Sequence, residues 1–171
     1  MKSVGEVMAI GRTFKESLQK ALRSLEIGLA GLDDLKTPPG DEELKHNLRL
    51  PNALRVLYIK QALKNGYSIE QINQMTQIDL WFLENIRQIV EMEARIKSEL
   101  MFDGEKKSSE LLRAAKEYGF SDLQIARLLN RAEADVRKAR AQLGIKPDYK
   151  LVDTCAAEFA AFTPYYYSSY G

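Results

Sequence analysis

The chain contains Gly66-Tyr67-Ser68-Ile69-Glu70-Gln71-Ile72 and, 53 residues later, Gly119-Phe120-Ser121-Asp122-Leu123-Gln124-Ile125. Each copy has a glycine and an aromatic residue before a serine, and a glutamine three residues after that serine. Serine and glutamine at this spacing predict a capping box, in which each side chain bonds the other residue's backbone amide. The repeat therefore predicts two short helices that begin in the same way.

Helices precede and follow each copy of the repeat. Residues 52–65 and 109–118 are predicted to lead into the two copies, and longer helices over residues 80–99 and 131–143 are predicted to follow them. A loop at residues 103–104 separates the two units. The sequence thus predicts two copies of a compact three-helix motif, and a mainly α fold with two helix-turn-helix-like units and short flanking strands.

The segment before the repeat begins with an apolar run at residues 6–10, which predicts a short strand. Thr13 then provides a helix cap, and Glu16 three residues later completes the pattern of a capping box. Glycine commonly ends helices, so we expect this helix to stop at Gly28 or Gly31.

Two further segments complete the chain. Residues 32–51 are polar and broken by prolines, which predicts a linker with one short helix at residues 41–48. Residues 149–153 are predicted to form a second short strand, and residues 154–171 are rich in alanine, serine and tyrosine. The tyrosines of this tail expose enough apolar surface to suggest that another part of a longer protein covers them.

The composition is that of an ordinary globular chain. It has 171 residues, of which 45% are hydrophobic and 29% charged, and its net charge is +1. The near-neutral charge argues against a protein dominated by phosphate contacts. One cysteine excludes an internal disulfide framework and fits a reducing compartment. Without an apolar run of membrane-spanning length or a secretory signal, we expect a cytoplasmic protein.

Few residues are candidates for chemistry. The sequence has neither of the glycine-rich phosphate-loop patterns. Cys155 is interpreted as a small buried cysteine rather than a nucleophile, because the one histidine lies far away in the sequence. That histidine, His46, is interpreted as a solvated helix residue, since a zinc site would need further histidine or cysteine ligands.

Two pairs of side chains on the long helix each have a structural and a functional interpretation. Glu91 and Glu93 resemble paired carboxylates, but their basic neighbours favour a solvated face with ion pairs one turn apart. Trp81 and Phe82 are interpreted as core residues rather than a ligand site. We therefore predict no catalytic, cofactor-binding or metal-binding residue in this chain.

A nucleic-acid-binding module remains an alternative, because a short helix, a turn and a longer helix is also the pattern of DNA readers. Residues 120–150 carry seven basic and four acidic side chains, whereas residues 68–99 carry three basic and six acidic ones. The opposite charge of the first unit favours a packing module over phosphate binding. The basic side chains of the second unit are Arg127, Arg131, Arg137, Lys138 and Arg140.

Both flanks of the repeat resemble the large subunit of carbamoyl-phosphate synthase. At the start, the resemblance lies in Met1-Lys2-Ser3-Val4-Gly5-Glu6-Val7-Met8-Ala9-Ile10-Gly11-Arg12-Thr13-Phe14 and in residues 16–22. Near the end, it lies in Val152-Asp153-Thr154-Cys155-Ala156-Ala157-Glu158-Phe159 and in residues 163–170. Ile78-Asp79-Leu80-Trp81-Phe82-Leu83 is similar to the middle helical region of that subunit.

The resemblance implies a place in a longer enzyme. In that family, two ATP-grasp halves are joined by a helical oligomerisation domain; the first half converts bicarbonate and ammonia into carbamate, and the second phosphorylates carbamate. Residues 1–30 would be the tail of the first half, residues 31–147 the helical connector, and residues 148–171 the start of the second half. Self-association would then use the helix of Trp81 or the turn that contains Met75 and Ile78.

The resemblance also implies what this segment lacks. The family's residues for ATP, for its Mg or Mn ions and for bicarbonate would lie outside this chain, so the segment alone is expected to be inactive and to hold no cofactor. Its expected partners are a second copy, the rest of the large subunit and a glutaminase small subunit. The parent would be a cytoplasmic ligase whose product serves arginine and pyrimidine biosynthesis.

Overall fold

A computed structural model describes residues 6–102, 106–156, 158–160 and 164–171 of the chain. Within these residues the fold is mainly helical, as predicted, with one two-stranded antiparallel sheet. The predicted loop at residues 103–104, the first five residues and parts of the tail lie outside the described residues. The elements are α1 Phe14–Ser24, α2 Asp41–Arg49, α3 Arg55–Lys64, α4 Ile69–Thr76, α5 Leu80–Glu99, α6 Lys106–Glu117, α7 Asp122–Leu129, α8 Glu133–Gln142, β1 Asp148–Leu151 and β2 Tyr166–Ser169.

The predicted repeat is present as two three-helix units, α3–α4–α5 (the first unit) and α6–α7–α8 (the second unit). Gly66 and Gly119, which precede the short helices, have φ angles of +86° and +88°. Gln77 and Asn130, which end those helices, are both left-handed, with φ of 58° and 51°. The two units therefore turn at equivalent positions, because a left-handed residue releases the chain from a helix.

Only one of the two predicted capping boxes around the repeat is complete. Ser68 Oγ accepts the Gln71 amide at 3.2 Å, and Gln71 Oε1 accepts the Ser68 amide at 2.9 Å. In the second unit, Ser121 caps Gln124 in the same way at 3.0 Å. The Gln124 side chain, however, is buried and donates to Gln19 Oε1 at 3.2 Å. A tertiary hydrogen bond to α1 thus replaces the local one.

At the start of α1, too, only one of the two hydrogen bonds of the predicted capping box is present. Thr13 Oγ1 caps the helix by accepting the Glu16 amide at 3.2 Å, as predicted. The Glu16 carboxylate instead accepts the amide of Arg12, at 2.8 Å. At its other end α1 stops at Ser24, earlier than predicted, because Glu26 already has a left-handed φ of 55°.

Residues 6–10 do not form the predicted strand, and no strand in the described part of the chain pairs with them. A strand is stable only when another strand satisfies its backbone, and in the described residues β1 and β2 pair with each other alone. The carbonyl of Ile10 is satisfied by a side chain, Lys20 Nζ, at 2.9 Å. The predicted strand at residues 149–153 is confirmed as β1, which begins one residue earlier and ends two residues earlier.

Residues 32–51 are not a linker, although the short helix predicted within them is present as α2. Leu32, Leu44 and Leu48 are completely buried. Leu44 and Leu48 lie one turn apart on α2, so both face the core, where α2 packs against α3 and α4. None of the prolines and charged residues of this segment is buried, whereas Leu32, Leu44 and Leu48 belong to the main core.

Helix α5 is the central element of the fold. It packs against α3 and α4 of its own unit, against α6 and α7 of the second unit, and against α1. Its buried stripe recurs at the helical period. The two units therefore share a continuous core, whose α5 members are Leu83, Ile86, Ile89, Met92 and Ile96.

Candidate subunit interface

Three aromatic rings meet where α1 and α5 begin. Phe14 is the first residue of α1, and Trp81 and Phe82 lie in the first turn of α5. The ring centroid of Phe14 is 5.5 Å from that of Trp81 and 5.2 Å from that of Phe82. Trp81 and Phe82 are 5.0 Å apart, edge to face. We call these three residues the aromatic cluster.

The aromatic cluster lies on the surface, so the interpretation of Trp81 and Phe82 as core residues is wrong. Trp81 is 57% exposed and Phe82 43% exposed. The reason is their position at the N-terminal end of α5, because the buried residues of this helix begin only at Leu83. Large exposed aromatic patches on a helical surface are typical of protein interfaces.

Polar contacts hold the helix starts on which the cluster lies. Asp79 caps α5 by accepting the Trp81 amide at 2.8 Å. Lys15, next to Phe14, donates to Asn85 Oδ1 at 3.2 Å and to Gln88 Oε1 at 2.8 Å. Because Lys15 fixes α1 against α5, the rings are presented on a rigid frame.

A charged rim follows the cluster along α5. Arg87 donates to both Glu84 oxygens at 2.7 Å and also contacts Glu91. Hydrogen bonds from Arg87 and Gln88 lower the pKa of Glu84 from 4.5 to about 2. An apolar centre bordered by ionised side chains is the usual composition of a subunit interface.

The other predicted surface for self-association, the turn of Met75 and Ile78, is less open. Both side chains are half-buried and pack against the core. The Asn73 side chain also bonds the carbonyl of Ile78 at 2.8 Å, which holds the turn in place. Of the two predicted surfaces, the helix of Trp81 therefore offers the larger exposed apolar area.

A second apolar surface lies at the chain ends. A groove of about 640 Å³, which we call the terminal groove, runs between residues 8–10 and the β1–β2 hairpin. Tyr165 and Tyr166 are largely exposed beside it, as predicted for the tyrosine tail. The groove is lined by Met8, Ile10, Val152, Thr154, Pro164, Tyr165, Tyr166 and Tyr167.

The two glutamates of α5 occupy different environments. Glu91 is exposed and pairs with Arg87, as predicted for a solvated face. Glu93 is only 3% exposed, so the prediction is wrong for this residue. Its carboxylate contacts Lys60 of α3, which is 2% exposed, and Lys97 at 2.7 Å. Lys60 Nζ also bonds the Leu32 carbonyl at 2.8 Å. Glu93 thus belongs to a buried ion pair between α3 and α5.

The remaining candidates are not brought together. His46 is exposed on α2, as predicted, and Cys155 is half-buried, with Thr154 as its side-chain neighbour at 3.9 Å. The described residues contain no group of three side chains suited to hold a metal ion. Nor does any helix in the described part of the chain combine the length and apolar character needed to cross a bilayer.

The basic side chains of the second unit are mostly engaged within the fold. Arg140 pairs with Asp122 at 3.0 Å and donates to the Ile145 carbonyl at 2.9 Å. Arg127 pairs with Asp33 at 3.1 Å. Arg127 and Arg140 are therefore each paired with a carboxylate of the fold, which weakens the case for a phosphate-binding face.

Comparison with known proteins shows which family the chain resembles. Residues 6–144 match the family described as "Carbamoyl-phosphate synthetase large chain, oligomerisation domain". The chain is 52% identical to the carbamoyl phosphate synthase large chain of Archaeoglobus fulgidus, over 99% of this chain and 16% of that protein.

Two further relatives are described as the N-terminal section of the carbamoyl phosphate synthase large chain. The chain is 52% identical to that of Aquifex aeolicus and 50% identical to that of Methanopyrus kandleri, over 99% of this chain in each case. It spans 30% and 32% of their lengths. None of these matches supports the alternative of a nucleic-acid-binding module.

Proposed function

This chain belongs to the family of carbamoyl-phosphate synthetase large chain oligomerisation domains, and from that premise we propose that its aromatic cluster is the surface through which two copies associate. The observation that supports this surface is the exposure of Trp81 and Phe82 on a rigid helix. Tryptophan is among the residues that contribute most to binding when an interface covers it.

The terminal groove has a different role in this proposal. Most of its lining residues follow residue 144, where the family match ends. Because the relatives are three to six times longer than this chain, we assign the groove to packing against other parts of the same large chain. The two apolar surfaces would then separate contacts between subunits from contacts within one subunit.

The whole protein would be an ATP-dependent ligase that forms carbamoyl phosphate from bicarbonate and ammonia. In this proposal the helical domain spaces two ATP-grasp halves, with boundaries at residues 30 and 147, while ATP and its Mg or Mn ions bind in those halves. A glutaminase small subunit would supply the ammonia, and the assembly would act in the cytoplasm, in arginine and pyrimidine biosynthesis. The domain itself would be inactive.

The test is the mass of the chain in solution, by light scattering after size exclusion, over a hundredfold range of concentration. We expect a concentration-dependent dimer. Trp81→Lys should raise its dissociation constant at least about tenfold, because an interface that covers the indole cannot bury an unpaired ammonium. Tyr166→Lys is the matched control, since it places the same charge on the exposed terminal groove.

Two results would contradict the assignment. If Trp81→Lys associates as the wild type does while Tyr166→Lys is monomeric, the terminal groove is the associating surface. A wild-type chain that is monomeric at every concentration would show that the aromatic cluster does not suffice for association.

A further inference from the structure

A buried carboxylate joins the two ends of the chain. Glu16 of α1 is 2% exposed, and three donors from different segments satisfy it. They are the backbone amide of Arg12 at 2.8 Å, Lys20 Nζ at 2.8 Å and the hydroxyl of Ser169 at 3.1 Å. Ser169 lies in β2, 153 residues away, and is itself buried.

Lys20 makes the same connection through backbone carbonyls. Its ammonium donates to the carbonyl of Ile10 at 2.9 Å and to the carbonyl of Ser168. The ring of Tyr167 lies 5.9 Å from that ammonium. One lysine of α1 therefore binds the segment before the helix and the strand at the opposite end of the chain.

The register of the hairpin explains why Lys20 can reach Ser168. The Val152 amide donates to the Tyr165 carbonyl at 2.8 Å, which makes these two residues a hydrogen-bonded pair. Such pairs alternate along an antiparallel ladder, so Ser168, opposite Tyr149, belongs to a pair that is not hydrogen-bonded. Its carbonyl points away from β1, and Lys20 caps the outer edge of β2.

A second anchor continues from the same strand into the second unit. The ring of Tyr170 lies 5.1 Å from the ammonium of Lys116 and 5.7 Å from the guanidinium of Arg140. Both cations pair with Asp122, at 2.8 Å and 3.0 Å. Burial lowers the pKa of Lys116, while its pairing with Asp122 opposes that shift.

We propose that Glu16, Lys20, Ser168 and Ser169 form a latch that makes residues 10–12 and the β1–β2 hairpin one cooperative unit. Opening either end removes partners from the same carboxylate and the same ammonium, so it weakens the other end. By linkage, this coupling is reciprocal. The path runs through α1 and avoids α2, α3 and α4.

The significance of the latch in a large chain rests on the proposed function. If the two catalytic halves continue from the two ends of this segment, the latch is a direct link between them. A movement of one half would then reach the other through a few buried hydrogen bonds rather than through the aromatic cluster.

Hydrogen–deuterium exchange on the whole chain tests the latch. Measured at a concentration where light scattering shows monomer, it does not depend on whether the aromatic cluster associates. In Glu16→Gln we expect exchange in β1, β2 and residues 10–13 to rise at least about tenfold, because a buried charge-assisted site loses its strongest acceptor. Exchange in α3 and α4 should stay unchanged. Glu91→Gln is the control, since it makes the same chemical change in an exposed ion pair on α5.

Ser169→Ala gives the reciprocal measurement and keeps the test decisive if Glu16→Gln fails to fold. It removes one hydroxyl from the hairpin, yet it should speed exchange in residues 10–13, which belong to the other end. Faster exchange in the hairpin alone, with residues 10–13 unchanged, would overturn the coupling. Equal exchange in the variant and the wild type at both ends would overturn it as well.

Discussion

Replacing Lys60 by methionine tests the buried ion pair between α3 and α5. Lys60 Nζ contacts Glu93 and lies 2.8 Å from the Leu32 carbonyl and 2.9 Å from Asp34 Oδ1. In Lys60→Met, the buried Glu93 keeps only Lys97 as a partner, and the Leu32 carbonyl loses its donor. Removing one member of a buried ion pair costs about 3–5 kcal/mol, so we expect that loss in the free energy of unfolding.

Urea denaturation followed by circular dichroism at 222 nm measures this loss. With a slope of about 2 kcal/mol per molar urea, the midpoint should fall by about 2 M. Lys97→Met is the matched control, because it removes the other lysine from the same carboxylate at a position that is 42% exposed. Exposed pairs contribute about 0–1 kcal/mol, so this variant should unfold close to the wild type.

The double variant Lys60→Met, Glu93→Met distinguishes the cost of leaving one buried charge unpaired from the contribution of the ion pair itself. It removes both charges and leaves apolar side chains of similar volume, so it should be more stable than Lys60→Met alone. The reasoning is refuted if Lys60→Met costs no more than Lys97→Met, or if the double variant loses the sum of both single losses.

Three further predictions address the fold. In urea unfolding, Gly119→Ala should cost about 1–3 kcal/mol more stability than Gly66→Ala. Both glycines have left-handed φ angles, so the backbone penalty is similar. An added Cβ at Gly119 would lie 2.9 Å from Glu16 Cα, whereas at Gly66 it would meet nothing within 4 Å. Equal costs would argue against tight packing of α1 on the second unit. Leu44→Ala should lower the free energy of unfolding by about 2–5 kcal/mol in the same assay, since the Leu44 side chain is completely buried. A loss below about 1 kcal/mol would instead support the prediction that residues 32–51 are a linker. Although burial opposes ionisation, hydrogen bonds from Lys64 and Lys60 lower the pKa of Asp34 from 3.8 to about 2. Asp34→Asn should therefore lower the free energy of unfolding by its full amount above pH 4, and this difference should vanish as the pH falls towards 2. A difference between the two proteins that is constant over that range would contradict this assignment.

Local pattern was sufficient for most of the helical architecture. Capping residues, glycines and the 3.6-residue period are encoded within a few positions of each other, and the prediction for residues 80–99 coincides with α5. The resemblance of the flanks identified the family that the comparison then showed. The helical pattern depends on residues that are close together in the sequence, and the resemblance depends on stretches shared with relatives, so a single sequence is enough for both.

The errors arose where a distant residue decides the outcome. Glu93 has the same local charge pattern as a surface glutamate, and its buried partner, Lys60, lies 33 residues away. One signal was available: Lys60 lies three residues after Leu57 and four after Val56, on the apolar face of α3. The segment at residues 6–10 was likewise apolar enough for a strand, but among the described residues no strand pairs with it.

The aromatic cluster was misassigned for a related reason. Aromatic residues are usually buried, and local sequence does not show that the first residues of α5, which include Trp81 and Phe82, lie at the surface. The helical period places Phe82 in line with Ile86 and Ile89 of the buried stripe, yet Phe82 is 43% exposed. Position at the end of the helix is thus a better guide to exposure here than residue type or helix face.

The position of Trp81 makes the domain its own optical reporter. The chain has one tryptophan, so all indole emission arises from the aromatic cluster. An indole in contact with water emits at longer wavelength than one covered by protein, and a subunit contact at this surface would move the emission to the blue. Assembly of the unmodified domain can therefore be followed by its own fluorescence, without a dye and at concentrations below those that scattering requires.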